Sequence, residues 1–210
     1  MKVVALLNEK GGSGKTTVSL NLATAMHRQG KKVVLVDADP QGTLRDWRAA
    51  SPEGANLPPV VALDRPQMLG TLDTINADFV VIDTPGKADT ISAMAIRKAN
   101  VALIIIQASA ADIWAAAATV KMINTRIELG GELDVAFLVN RVIKNTRLTR
   151  EILGGEWNEY KIDQLTATVG NRTVFAQSLA DGLSVYDHPN AEAKAEIDAI
   201  LGEMEAARWL

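Results

Sequence analysis

Two clusters of residues in this chain could do chemistry together. The first is Asn8-Glu9-Lys10-Gly11-Gly12-Ser13-Gly14-Lys15-Thr16-Thr17, where glycines alternate with lysines and hydroxyl side chains. Glycines let a backbone curl until successive N–H groups face one anion, and a helix starting at that point adds its partial positive charge. On that chemistry Gly11, Gly12, Ser13, Gly14 and Thr17 wrap a polyphosphate. Lys15 reaches its β- and γ-phosphates, and Thr16 places a hydroxyl on Mg²⁺. The second cluster is acidic: Asp37 and Asp39 follow Val33-Val34-Leu35-Val36, and Asp83 follows Phe79-Val80-Val81-Ile82. An aspartate closing a four-residue apolar run can hold Mg²⁺ directly or through water. It can also simply cap the next helix.

These groups meet only if the intervening chain brings them to one edge, and the apolar pattern predicts that it does. Val3–Leu7, 33–36, 79–82, 101–106 and 135–139 are short runs rich in β-branched residues, apolar throughout. Such runs suit strands covered on both faces. Between the first two, residues 16–29 show Leu20, Ala23 and Met26 at helical spacing, with Gly30 placed to end the helix. Further helices are expected over 91–98, 110–129, 146–153 and 191–209, and the proline-rich 51–59 is expected to be a surface connection. Strands alternating with helices predict an α/β fold, a mostly parallel central sheet with helices on both faces. The glycine-rich loop then lies at a strand-to-helix junction, and the aspartates at the C-terminal strand edge where ligands of such sheets gather. No linker divides the 210 residues, so one domain is expected over 1–210.

Composition removes other chemistries. The chain has no cysteine, which excludes disulfides, thiolate metal sites, a cysteine nucleophile and an all-cysteine iron–sulfur cluster. Its net charge is -3, so any contact with nucleic acid must come from a local patch. No apolar run reaches the roughly 18–20 residues needed to span a bilayer, and the N-terminus lacks the form of a signal peptide. A cytoplasmic protein is expected.

The loop departs from the general G-x-x-x-x-G-K-[ST] pattern: Glu9 stands at the first glycine, and Lys10 precedes the double glycine. In this it resembles the deviant Walker A motif of the ParA/MinD family of P-loop ATPases. The resemblance implies that Lys15 acts in cis, while Lys10 crosses a dimer interface to the phosphates of the partner's ATP. It makes Val36–Gln41 the Walker A′ segment, with Asp39 orienting the attacking water and Asp37 supporting the magnesium shell. Gln41–Asp46 and Thr84–Asp89 would be the switch segments sensing the γ-phosphate. Gln107-Ala108-Ser109-Ala110-Ala111-Asp112 resembles a Pro-Ser-Pro-x-Asp stretch of the family without its prolines, which makes Asp112 a candidate dimer-face residue. Asn140 and Arg141 end a strand where the family contacts adenine. A polar residue at a strand end is also ordinary.

The branch follows by elimination. Missing cysteines exclude the iron–sulfur relatives, and one copy in 210 residues excludes the duplicated arsenite-pump type. The C-terminal segment 191–210 carries five acids against Lys194 and Arg208, so it is no basic membrane helix; its Ile197, Ile200, Leu201 and Met204 stripe fits a core-facing helix. The chain therefore resembles the small ParA type, the short plasmid-partition ATPases typified by ParF or close relatives that position carboxysomes or chemoreceptor clusters, with no helix-turn-helix domain expected ahead of the loop; the resemblance implies partition or positioning of a plasmid, chromosome region or other cargo. The resemblance implies a homodimer closed by ATP and Mg²⁺, sequence-independent binding to nucleoid DNA, and a ParB- or ParG-like adaptor that triggers hydrolysis. A metabolic P-loop enzyme, such as a dethiobiotin-synthetase-like ligase or a kinase, shares the same loop, and a VirC-like relaxosome ATPase shares every motif. For DNA, the densest basic cluster is Arg141, Lys144, Arg147 and Arg150, with Arg172 a second candidate. A solvated helix face would look the same.

Overall fold

Consecutive β-branched residues that cannot be hidden from water on one side alone become the inner strands of a seven-stranded sheet. The structure is a computed structural model and describes residues 1–87, 90–155 and 159–210. The long strands are β1 (Lys2–Leu7), β2 (Val33–Asp37), β4 (Phe79–Asp83), β5 (Val101–Gln107) and β6 (Asp134–Asn140). Two short ones, β3 (Val60–Ala62) and β7 (Asp163–Gln164), lie at the edges, giving the order β3-β2-β4-β1-β5-β6-β7. Every pairing is parallel. The expected mostly parallel sheet is entirely so.

Because side chains alternate across a strand, β1 feeds both cores. Val4 and Leu6 join one buried cluster with α1 (Lys15–Arg28), α2 (Thr43–Ala50), α7 (Thr173–Ala180) and α8 (Ala191–Ala206). Val3, Ala5 and Leu7 join the other with α4 (Thr90–Lys98), α5 (Ala110–Glu128) and α6 (Arg147–Leu153). A one-turn helix, α3 (Pro66–Leu69), starts on the proline that suits a first helical position. The five expected helices are present within a few residues of their predicted bounds. α8 stops at Ala206 rather than Trp209, because Arg208 adopts a left-handed backbone (φ 54–66 is shared by four non-glycine residues, 62 at Arg208) and the Trp209 N–H turns back to the Met204 carbonyl. Its Ile197, Ile200, Leu201 and Met204 are buried, as the stripe predicts.

Five of these elements are not among those expected from the sequence: α2, α3, α7, β3 and β7. β3 is three half-buried residues after two prolines, too short to carry a period. Among the described residues no helix is long and apolar enough to cross a membrane. Of the Thr84–Asp89 segment, Ala88 and Asp89 lie outside the described residues.

Truncating Ile197, wholly buried in the first cluster, leaves a cavity under α8. Ile197→Ala is expected to lower the unfolding free energy by about 2–5 kcal/mol. Urea titration checks this against Leu148→Ala, whose side chain is already exposed and whose replacement should stay within about 0.5 kcal/mol.

Candidate nucleotide-binding site

The sheet register brings the acidic residues together. Asp37 pairs with Asp83 across β2 and β4, and Asp83 with Leu6 across β4 and β1, so both carboxylates end strands beside the loop that follows β1. The loop's curl rests on left-handed glycines. Gly14 has φ 94 at the position before α1, and a Cβ there would lie 2.1 Å from Asn140 Nδ2. No side chain fits. Asn140 uses that closeness: its Nδ2 donates to the Ser13 carbonyl at 2.8 Å, and its Oδ1 accepts from the Arg141 N–H at 2.8 Å.

Other residues of these segments fix the loop in roles that the motifs do not assign to them. Asn8 is buried, accepts the Lys10 N–H at 2.8 Å and donates to the Ile105 carbonyl. Gln107 Nε2 donates to the Gly12 carbonyl at 3.0 Å. Thr84 Oγ1 donates to the Leu6 carbonyl at 2.6 Å, and a Cβ on Gly86 would come within 3.0 Å of the Gly11 backbone. The one signal available in the sequence was a polar residue directly after an apolar strand, as at Asn8 and Gln107.

The interior of the loop suits an anion and a divalent cation. Lys15 is buried, and the only hydrogen bond its ammonium makes among the described residues is a long one, 3.5 Å, to the Lys10 carbonyl. Burial lowers its pKa, opposed by the charges of Asp83 and Asp39. A phosphate would satisfy it. Ser13 Oγ is likewise buried without a partner. Thr16 Oγ1 donates to Asp83 Oδ2 at 2.6 Å, and Ser19 Oγ to Asp83 Oδ1 at 3.3 Å. Burial pushes the Asp83 carboxyl up to about 7, against the Thr16 hydrogen bond and Lys15, with Asp37 and Asp39 raising it further. A wholly buried carboxylate held by a hydroxyl is a donor pair that fits Mg²⁺.

Lys10 lies differently. Its side chain is 41% exposed, and Nζ reaches Asp112 Oδ2 at 2.7 Å, where the carboxylate is fully buried. Ser109, which caps α5, donates to the same oxygen, while Asp112 Oδ1 has no partner among the described residues. Asp112 therefore holds Lys10 within its own subunit. Asp37 is also buried; its Oδ2 accepts from Arg45 and its Oδ1 from the Asp39 N–H at 3.2 Å. Asp39 is half-buried and accepts the Gln41 N–H at 3.0 Å.

Beside Gly14 and Thr17 opens a cleft of about 390 Å³, walled by Asn140, Arg141, Arg172 and Phe175, within the size range of ligand pockets. A larger hollow of about 560 Å³ lies between α4 and α5, lined by Ile96, Met122 and Leu129, and none of the loop or acidic residues above borders it. Of the basic residues, Arg141, Lys144, Arg147 and Arg150 are exposed, with Arg147 in an ion pair to Glu151 at 2.6 Å. Arg172 is bound to Glu192 and, at 2.8 Å, to Glu196, so its charge is already compensated.

The family model of the CobQ/CobB/MinD/ParA nucleotide binding domain matches residues 4–185. The chain belongs to this family, and its loop is of the kind found in ParA/MinD-type ATPases. It is 32% identical over 207 residues, 96% of this chain and 95% of the relative, to the maintenance of carboxysome distribution protein A of Halothiobacillus neapolitanus. Among solved structures it resembles apo McdA of Cyanothece at a TM-score of 0.77 with 17% identity, covering 96% of this chain and 98% of that one. It also resembles a plasmid partition protein of Borrelia burgdorferi bound to AMPPNP, at a TM-score of 0.75 with 20% identity, over 96% and 97% of the two chains. These likenesses support the α/β fold expected from the sequence.

The raised pKa of Asp83 has a consequence for the protein free of nucleotide and metal. An unfolded aspartate ionises near pH 3.9, whereas the folded one keeps its proton until about 7. The unfolded state therefore binds fewer protons between those values, and stability falls as pH rises through that window. Asp83→Asn removes this loss. With EDTA present, its urea midpoint should vary less than that of the wild type between pH 4 and 7 and exceed it above pH 7.

Proposed function

We propose that this chain is an ATP-dependent positioning switch of the small ParA type. The observation that supports it best is the pairing of two lysines with different surroundings: Lys15 buried within the loop, and Lys10 at its mouth on a buried carboxylate. Lys15 neutralises phosphate charge within its own subunit. Lys10 is able to leave Asp112 for the phosphates of a second subunit, so that closure of a homodimer completes both sites. Thr16 and Asp83 would hold Mg²⁺, supported by Asp37, and the ion would neutralise charge on the β- and γ-phosphate oxygens. Asp39 is a weak base toward water, so its task is to orient the attacking molecule while the two lysines stabilise developing charge. Asn140 and Arg141, at the mouth of the neighbouring cleft, take the base edge of the nucleotide.

The closed dimer binds nucleoid DNA without sequence preference through Lys144, Arg147 and Arg150, and a cargo-bound adaptor of the ParB or ParG kind stimulates hydrolysis and release. The similarity to a carboxysome distribution protein over nearly the full length of both chains favours cargo positioning over a metabolic ligase or kinase. A metabolic enzyme would require a small-molecule acceptor, which this reading does not.

Lys15→Ala should lose nucleotide binding in calorimetry. Lys10→Ala should bind nucleotide yet remain monomeric in sedimentation with a slowly hydrolysed ATP analogue, whereas Asp39→Ala should bind and persist as a dimer. Dimerisation of Lys10→Ala at wild-type strength would refute the trans role.

DNA binding should appear only with ATP and be equal on unrelated duplexes. Because log affinity falls with log salt by about 0.9 per phosphate neutralised, a dimer presenting two patches should show a steeper slope than a monomer. The double change Arg147→Ala, Arg150→Ala should weaken binding uniformly. Fluorescence anisotropy across a salt series measures this, and undiminished binding in the double variant would reject the patch.

A further inference from the structure

Arg45 stands eight residues beyond Asp37, inside the Gln41–Asp46 segment but with no role of its own assigned by the sequence, and its contacts reach both sides of the Walker A′ loop. Its backbone N–H and its Nε both donate to Asp37 Oδ2 at 3.1 Å, and its Nη1 donates to Asp64 Oδ2 at 2.8 Å. Nη2 donates to the Asp39 carbonyl at 3.0 Å and, more weakly, to the Pro40 carbonyl at 3.5 Å. One guanidinium thus ties the end of β2, the loop after it and the residue beyond β3 into a single unit. Gly42 makes room for it: with φ 74 it carries no side chain, and a Cβ there would lie 2.9 Å from Arg45 Nη2.

The same contacts use up Asp37. Its Oδ2 takes two hydrogen bonds and its Oδ1 a third from the Asp39 N–H, in a side chain with no solvent exposure. A carboxylate offers about four lone-pair sites, so most of this one is committed to its own loop. The buried charge is matched by a cation that cannot be deprotonated and whose planar fork addresses two carboxylates and a carbonyl at once.

We infer that Arg45 is a positioning residue for ATP hydrolysis: through Asp37 and Asp64 it fixes the loop that carries Asp39, and Asp37 serves as its anchor rather than as a direct ligand of Mg²⁺. This rests on the ATPase reading above. Lysine cannot replace it, because a single ammonium cannot reach both carboxylates and the Asp39 carbonyl in the same geometry.

The test uses the full chain with Arg45→Ala, Arg45→Lys and Asp64→Asn. In the nucleotide-free protein, hydrogen–deuterium exchange over residues 38–44 should rise in Arg45→Ala and stay unchanged over the phosphate loop. The affinity for a fluorescent ATP analogue should be retained while turnover falls on the order of 10- to 100-fold, the scale of a misplaced reacting group. Arg45→Lys should not recover it. Millimolar guanidinium should restore part of the turnover of Arg45→Ala and none of that of Asp39→Ala, a split that mere loss of stability would not produce. Asp64→Asn, which removes one contact, should shift exchange and turnover in the same direction by less. Wild-type turnover in Arg45→Ala, unchanged exchange over 38–44, or a rise in exchange across the whole chain overturns the assignment. If the wild-type protein hydrolyses no ATP, the ATPase reading fails instead, and exchange over 38–44 alone decides whether the clamp exists.

Discussion

Charge buried at one edge of a sheet, with little water to solvate it, is the constraint around which this molecule is arranged. Asp37, Asp83 and Asp112 are wholly or almost wholly hidden, and Lys15 nearly so. Uncompensated, each would cost several kcal/mol. The fold meets this in two ways. Asp37 and Asp112 receive cations from their own subunit, Arg45 and Lys10. Asp83 is left with two hydroxyls and Lys15 with a distant carbonyl, which is what a site awaiting a cation and an anion requires. The contrast separates Arg45 and Asp37, which hold the site together, from Asp83 and Lys15, which are left for its ligand.

This division also accounts for the two cores. A parallel sheet needs crossover helices on its faces, and those helices begin where the strands end. α1 therefore starts on the phosphate loop itself, and α4 starts just beyond Gly86, which touches that loop. The apolar clusters beneath α1 and α4 hold rigid the elements whose first turns do the chemistry. Binding groups on strand ends are positioned by the best-packed part of the molecule.

The sheet and the phosphate loop were legible because their signals are local. Five unbroken apolar runs, each followed by a charged or polar residue, leave little choice of fold, and the glycine–lysine pattern compresses its whole function into ten residues. Asp83 was legible for the same reason. The partnerships were not. Lys10 meets Asp112 across 102 positions and Arg45 meets Asp64 across 19, and no periodicity links such residues. Asp112 was expected on a dimer face from resemblance alone; within the subunit it is buried and pairs with Lys10. Arg172 is a second DNA candidate in the sequence, but its neutralisation by Glu192 and Glu196 depends on how α8 lies against the residues before α7. α2 escaped notice because only Leu44 and Trp47 of its eight residues are buried, too few to establish a helical stripe among charged neighbours.

The close approach of Gly86 to Gly11 bears on how information would travel through the molecule. Two bare backbones meet there, with no side chain between them to rotate aside or compress. Such a joint has little compliance. A shift of the phosphate loop by a fraction of an ångström is transmitted to the backbone at Gly86 as a displacement, not absorbed as a change of rotamer. A larger residue at Gly86 would press on the Gly11 backbone, and the two segments would have to move apart.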